Sequence, residues 1–207
     1  MGSDLPKQFL TLHNRPVLYY TLRSFLSAFD DLKVVLVLPG EYVDMGLEII
    51  DAFFDKERIR IAVGGATRFE SVKNGLAMVE GESIVFVHDA VRCAVSHALI
   101  RRCYETALET GSAIPVLPCS DSLRIRTEDG DSEILSREKV MQVQTPQVFH
   151  SQILIPAFNI DYKEWFTDEA SVVEAFGVKL SLVEGEQQNI KITLPADLEI
   201  AGLFVKP

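Results

Sequence analysis

Behind Pro16, a residue suited to a first helical position, Val17, Leu18, Thr21, Leu22, Phe25 and Leu26 recur at helical spacing. Lys33 to Leu38 is a β-branched run closed by Pro39-Gly40, the pattern of a strand and a loop. Tyr42 to Phe54 returns to helical spacing, Ile59 to Val63 is a short strand broken by Gly64-Gly65, and Ser71 to Met78 reads as helix. Ile84 to Val87 is an unbroken apolar run, which suits a strand buried on both faces of a parallel sheet. Ala98 to Thr110 is helical with a glycine stop at Gly111, and Ala113 to Leu117 is the next strand. This alternation predicts an α/β fold, a Rossmann-like, mostly parallel sheet flanked by helices.

The rhythm then breaks. Alternating residues from Ser122 to Thr127 and from Glu133 to Ser136 flank Glu128-Asp-Gly-Asp, the signature of a hairpin. A doubly wound sheet has no obvious place for it, so residues 120–139 are expected to project as an arm and to serve as a subunit contact. The C-terminal third predicts helices at Ser151 to Asn159 and Asp168 to Phe176, a strand at Lys179 to Val183, and a closing helix from Pro195 to Phe204. Neither repeat nor linker interrupts the chain, which reads as one domain over residues 1–207.

Composition narrows the partners. The 207 residues, 47% hydrophobic and 24% charged, suffice for a substantial core. A formal net charge of −10 argues against a nucleic-acid groove spread over the surface, while leaving room for a small basic pocket. Cys93, Cys103 and Cys119 lack paired metal-ligand spacing and read as reduced thiols of a reducing compartment. No apolar run approaches the ~18 residues needed to cross a bilayer. A cytoplasmic protein with no nucleic-acid or membrane partner is expected.

Chemistry concentrates where strands end. The run at Ile84 to Val87 stops in His88, Asp89 and Arg92, and ligands of open α/β sheets gather beyond the carboxyl ends of strands. A carboxylate there can hold Mg²⁺, which borrows its remaining ligands from water and phosphate; the ordinary alternative is that Asp89 caps the next helix. Gly64-Gly65 before a helix, with Ser71 near its start, offers backbone N–H groups to a base or phosphate, although most glycine pairs are only turns. Lys7 beside Pro6 and Lys191 past an apolar strand are lone lysines, a type usually solvated. Taken jointly, two lysines, an arginine and an aspartate describe a site for anionic oxygens and a metal ion, the equipment of phosphoryl or nucleotidyl transfer. The chain lacks G-x-G-x-x-G, G-x-S-x-G and H-E-x-x-H, which removes the usual fingerprints of dinucleotide oxidoreductases, serine hydrolases and zinc proteases. His88 should point away from Asp89 and is expected to be structural.

Pro6-Lys-Gln-Phe, Gly64-Gly-x-x-Arg-x-x-Ser-Val, Val87-His-Asp-Ala-x-Arg92, Gln144-Thr-Pro-Gln-x-Phe, Thr167-Asp-Glu-Ala-Ser and Asn189-Ile-Lys-x-Thr occur in this order along the chain. Together they resemble the 2-C-methyl-D-erythritol 4-phosphate cytidylyltransferases of the non-mevalonate isoprenoid pathway, over essentially the whole length. The resemblance implies a nucleotide-diphospho-sugar transferase fold and a reaction of CTP with methylerythritol phosphate that gives the CDP-linked alcohol and pyrophosphate. It implies that Lys7 stabilises charge on the α-phosphate, that Asp89 holds Mg²⁺, and that Lys191 and Arg137 orient the alcohol phosphate. Gly64, Gly65 and Ser71 would surround the cytosine and ribose, while Arg92, Ser122, Thr145 and Thr167 would surround the second substrate. In such enzymes the arm crosses to a neighbour, so Ser122 and Arg137 are expected in the partner's site of a homodimer.

The chain also departs from the family pattern. A strand and glycine-rich loop would precede Met1-Gly2, so an upstream segment is expected to be lacking here; it could have carried a plastid transit segment. Ala66 stands where the family can carry an acidic residue, and Cys93 where proline is usual. The rival readings are a ribitol 5-phosphate cytidylyltransferase, a catalytically impaired nucleotide-binding protein, and a sugar nucleotidyltransferase using UTP.

Overall fold

A computed structural model describes residues 5–206, and the Met1-Gly2 pair lies outside them. A small hairpin of β1 (Thr11–Leu12) and β2 (Arg15–Pro16) leads into α1 (Val17–Leu26), as the proline signal predicts. The chain then alternates through β3 (Val34–Leu38), α2 (Val43–Phe53), β4 (Ile59–Val63), α3 (Arg68–Leu76), β5 (Ile84–Val87), α4 (His97–Thr110) and β6 (Ser112–Pro118). Next come the hairpin strands β7 (Leu123–Arg126) and β8 (Ser132–Leu135), followed by β9 (Met141–Val143), β10 (Gln147–His150), α5 (Ser151–Ala157), α6 (Glu169–Ala175), β11 (Leu182–Glu184) and α7 (Pro195–Phe204).

Local chemistry explains most boundaries. Helix α4 starts where the Ser96 side chain accepts from the Leu99 N–H, and it stops at Gly111, whose φ of 90° suits a residue without Cβ. Helix α3 begins at Arg68 rather than Ser71, because Thr67 and Glu70 form a reciprocal capping box at its first turn. Strand β11 begins at Leu182 rather than Lys179: the Ser181 N–H is taken by the Ser112 hydroxyl, so the ladder on β6 starts one residue later. The hairpin turn closes with Gly130 at φ 88°, and the Thr127 N–H donates to the Asp131 carbonyl at 3.0 Å.

The strands pair as β11-β6-β10-β5, with β9 on β6, and β3 pairs with β4 apart from them. Pairing is parallel for β3–β4 and β11–β6, and antiparallel where β10 inserts between β5 and β6. On one face α4 packs Leu99, Ile100, Cys103 and Ala107 against Ala113 and Val148. On the other, α5 and α6 pack Leu154, Ala157, Val172 and Val173 against Ile114 and Phe149. All three cysteines are free and buried, and burial pushes the Cys103 thiol up to about 12. No helix among the described residues is long and apolar enough to cross a membrane.

One expectation is corrected. The strand at Ile84 to Val87 is only half-buried along its length, and its sole strand neighbour among the described residues, β10, is antiparallel. Its other edge faces β3 across a cleft of about 1050 Å³, lined by Val34 to Val37 on one side and Ile84 to Val87 on the other. Unpaired strand edges must find water or another partner for their backbone groups.

Candidate active site

Asp89 stands directly beyond the end of β5, where the sheet presents its ligand side. It caps no helix, since α4 starts only at His97 with Ser96 as its cap. Cations converge on it instead. Lys191 Nζ lies 3.1 Å from Oδ2, Arg92 Nε 3.2 Å from the same oxygen, and Arg68 Nη2 3.8 Å from Oδ1. Burial works to raise the Asp89 carboxyl, but Lys191 and Arg68 outweigh it and hold the group below its ordinary value. The carboxylate is ionised.

A hydrogen-bonded frame fixes these groups. The Asp89 N–H donates to the Thr145 hydroxyl at 3.0 Å, and that oxygen also contacts His88 Nδ1 at 3.1 Å. Arg92 Nη1 donates to the Asn189 carbonyl at 2.7 Å, while Asn189, fully buried, donates from Nδ2 to the Thr145 carbonyl at 2.8 Å. Gln144 exchanges hydrogen bonds with the backbone of Glu186, at 2.8 Å from its Nε2 and 3.0 Å to its Oε1. The segments carrying Asp89, Arg92, Thr145 and Lys191 are thus locked to one another. Within this frame the buried Asn189 Oδ1 has no hydrogen-bond partner among the described residues, so the network ties the segments together without being fully satisfied.

His88 turns inward, as its alternation with Asp89 predicts. Its Nε2 lies 3.0 Å from the Arg92 carbonyl oxygen and its ring packs 4.8 Å from that of Phe25. Burial pushes its pKa down to about 4. It is a neutral spacer beneath the site.

Two cavities meet at this point. The large cleft between β3 and β5 is lined at one end by Arg68, Ser71, His88 and Asp89. A second pocket of about 290 Å³ is walled by Arg92, Thr145, Thr167 and Lys191, among others, and Arg68 and Asp89 belong to both walls. The glycine pair precedes α3, whose Arg68 and Ser71 line the first cavity. A Cβ on Gly65 would stand 2.3 Å from the Glu70 Cβ, so only glycine lets the loop lie this close to α3. The Gly65 N–H donates to the Ser71 hydroxyl at 3.1 Å, and Ser71 in turn donates to the Thr67 carbonyl.

This architecture is shared with known proteins. The sequence profile of the 2-C-methyl-D-erythritol 4-phosphate cytidylyltransferase family matches residues 1–207. The relative of that name from Bacteroides thetaiotaomicron is 47% identical over 205 residues, covering 99% of this chain and 93% of its own. The one from Porphyromonas gingivalis (strain W83) is 41% identical over 206 residues, covering 99% and 91%. Crystal structures of the enzymes of that name from Thermus thermophilus and Francisella tularensis superpose with TM-scores of 0.76 and 0.82. Their identities are 34% and 30%, over 96% and 98% of this chain and 93% and 94% of theirs. The chain belongs to the 2-C-methyl-D-erythritol 4-phosphate cytidylyltransferase family.

Within this family member, the residues singled out in the sequence fall into three groups. Asp89, Arg92, Thr145, Thr167 and Lys191 line one pocket; Ser71 lines the neighbouring cleft, while Gly65, whose N–H donates to Ser71, and Gly64, whose N–H donates to the Leu38 carbonyl, lie outside its wall. Lys7 lies outside both walls, in a turn whose charge acts on Asp197 at the start of α7. Ser122 and Arg137 are exposed at the hairpin, also outside both pocket walls, with Arg137 Nη1 donating to the Ser120 carbonyl at 2.7 Å. Sequence reasoning passed over Arg68, Glu169, Gln144, Gln147 and Asn189. All five stood within quoted motifs, but nothing in those motifs gave Arg68 a partner 101 residues away or tied Gln144 and Asn189 to each other.

A Mg²⁺ ion fits the donor set only in a particular way. Among the described residues no cluster of three or more His, Cys, Asp or Glu side chains is placed to cage a metal. Asp89 offers one ionised carboxylate at the junction of the cavities, which matches a cation that takes one or two protein carboxylates and completes its shell with water and phosphate.

The depressed His88 value gives a sign. Unfolded, the ring takes a proton near its ordinary 6.5; folded, only near 4. The unfolded chain therefore binds more protons between those limits, and stability falls as pH drops through them, by about 3 kcal/mol in all from this group. NMR titration of the native protein should leave the His88 ring neutral at pH 5.5. A midpoint near 6.5 would contradict the buried, neutral ring.

Proposed function

We propose that this chain transfers the cytidylyl group of CTP to 2-C-methyl-D-erythritol 4-phosphate, giving 4-diphosphocytidyl-2-C-methyl-D-erythritol and pyrophosphate for isoprenoid biosynthesis. The observation that carries the reading is the convergence of Lys191, Arg92 and Arg68 on Asp89 where two cavities meet. Two polyanions must be brought together for this reaction. Charges of like sign 4 Å apart repel by about 4 kcal/mol at an effective dielectric of ~20, so several cations are required at the meeting point.

An oxygen of the methylerythritol phosphate attacks the α-phosphorus of CTP. The new P–O bond forms as the bond to the β-phosphate bridging oxygen breaks, and pyrophosphate leaves with the electron pair. Lys191, with 45% of its side chain exposed, is free to turn from Asp89 towards the incoming phosphates. Arg92, 12% exposed and tied to the Asn189 carbonyl, stays as a fixed charge beside the carboxylate. Thr167, exposed in the pocket wall and with no hydrogen bond among the described residues, is placed to bond the alcohol phosphate. Asp89 would hold Mg²⁺, whose chemistry when bound is to neutralise phosphate charge. Lys7 would approach the α-phosphate from its turn.

The arm supports a homodimer with shared sites. Ile134 is 82% and Ile125 53% exposed on the hairpin, an apolar surface that a second copy of the chain would cover. Arg137 and Ser122 are carried on that arm, outside the walls of their own subunit's pocket. The buried, reduced cysteines suit a cytoplasmic protein.

Pyrophosphate release should be seen with CTP, Mg²⁺ and methylerythritol phosphate. Release with ribitol 5-phosphate instead would move the substrate assignment, and CTP binding without release would favour an impaired nucleotide-binding protein. Asp89→Asn should weaken the Mg²⁺ dependence; an unchanged metal titration removes the ligand role. If Arg137 serves the neighbouring site, an equimolar, re-equilibrated mixture of Asp89→Asn and Arg137→Ala chains recovers about a quarter of the parental rate, because half the dimers are mixed and each of those holds one intact site. No recovery would place Arg137 in its own subunit's site, and about half the parental rate would place it outside both.

A further inference from the structure

Arg68 is the first residue of α3 and Glu169 the first residue of α6, so the side chains meet between the two helix starts that border the cavities. Arg68 Nη2 donates to Glu169 Oε2 at 2.9 Å and Nη1 to Oε1, a two-pronged pair across a sequence separation of 101. Glu169 is fully buried. Burial pushes its carboxyl up, and Arg68 offsets part of that rise, while the arginine keeps its charge.

Both ends of the pair are pinned. Arg68 follows the capping box of Thr67 and Glu70, and its neighbour Phe69 stacks on Phe158 and Phe166 with ring centroids 4.8 and 5.8 Å away. On the other side, Gln147 donates from Nε2 to Asp168 at 2.9 Å and accepts from the Ala170 N–H at 2.7 Å, which brackets Glu169 from both neighbours. Glu169 cannot follow Arg68 if the arginine moves.

Resting on the cytidylyltransferase reading, we propose that Arg68 is a phosphate-binding cation at the junction of the nucleotide and alcohol-phosphate pockets, and that Glu169 is the positioning residue that aims it there. A guanidinium has five N–H donors, and Glu169 engages one on each terminal nitrogen. The remaining donors have no hydrogen-bond acceptor among the described residues, since Asp89 at 3.8 Å is an ion-pair neighbour and not an acceptor. They stand in the wall common to both cavities. A pair kept only for stability would be replaced by apolar side chains of similar volume at little or no cost, because desolvating two charges offsets much of their attraction. What apolar side chains cannot supply is a fixed planar donor for anionic oxygens.

That contrast provides the test. Removing one partner leaves a buried charge and risks misfolding, so the principal variant is the double replacement Arg68→Met with Glu169→Leu, alongside the single change Glu169→Gln. Thermal midpoint, pyrophosphate affinity by calorimetry, and kcat and KM for each substrate are measured on the full chain. The double variant should keep a parental thermal midpoint, lose ~100-fold or more in kcat, and bind inorganic pyrophosphate at least ~10-fold more weakly. Glu169→Gln, which keeps shape but not charge, should lower kcat ~10-fold without a matching loss of stability. A folded double variant with parental pyrophosphate affinity and kcat overturns the proposal, and a double variant that cannot fold while Glu169→Gln retains full activity and affinity does so too. If the parent releases no pyrophosphate from CTP, the cytidylyltransferase reading fails on its own. The Arg68 proposal is then judged on pyrophosphate affinity, with unchanged binding in the variants against it and weakened binding for it.

Discussion

A single ionised carboxylate, Asp89, holds three cationic side chains in one place before any substrate arrives. Without that anion, Lys191 would lose its partner, while Arg92 and Arg68, held by the Asn189 carbonyl and by Glu169, would face each other uncompensated. With it, part of the positive charge is offset in the resting site, and the remainder stands where phosphates can be bound. Electrostatic groups organised in advance cost little rearrangement when charge moves during reaction, which is how phosphoryl-type transfers are accelerated.

The fold serves that arrangement by bringing separated segments to one edge. β5 delivers Asp89, the turn after it delivers Arg92, the residues before β10 deliver Thr145, and the segment before α7 delivers Lys191. Their mutual hydrogen bonds run through Asn189 and Gln144, both buried, so the site is rigid on the alcohol-phosphate side. The other side is different in kind: the cleft between β3 and β5 is bordered by strand edges that lack strand neighbours among the described residues.

Much of this was legible in the sequence because it depends on local chemistry. Pro16 starts a helix, Gly111 stops one, and Asp-Gly at 129–130 turns a hairpin, each through its own backbone preferences. The motif residues Asp89, Arg92, Thr145 and Lys191 line one pocket: Asp89 and Arg92 follow the carboxyl end of β5, and the antiparallel β10 starts at that same end, just past Thr145. What failed depended on distant partners. The apolar run at Ile84 to Val87 gave no hint that one of its edges would face a cleft, or that β10 would run against it. Arg68 and Glu169 were mute for a similar reason, since a buried ion pair is invisible until folding brings its halves together.

A crystal structure with CTP and methylerythritol phosphate both bound bears most directly on the claim that the anions meet at the Asp89 junction. The account predicts the α-phosphate of CTP and the attacking phosphate side by side between the two cavities, with Lys191 turned from Asp89 onto their oxygens. Phosphates lodged elsewhere, with the Lys191–Asp89 pair still intact at its 3.1 Å separation, would contradict it.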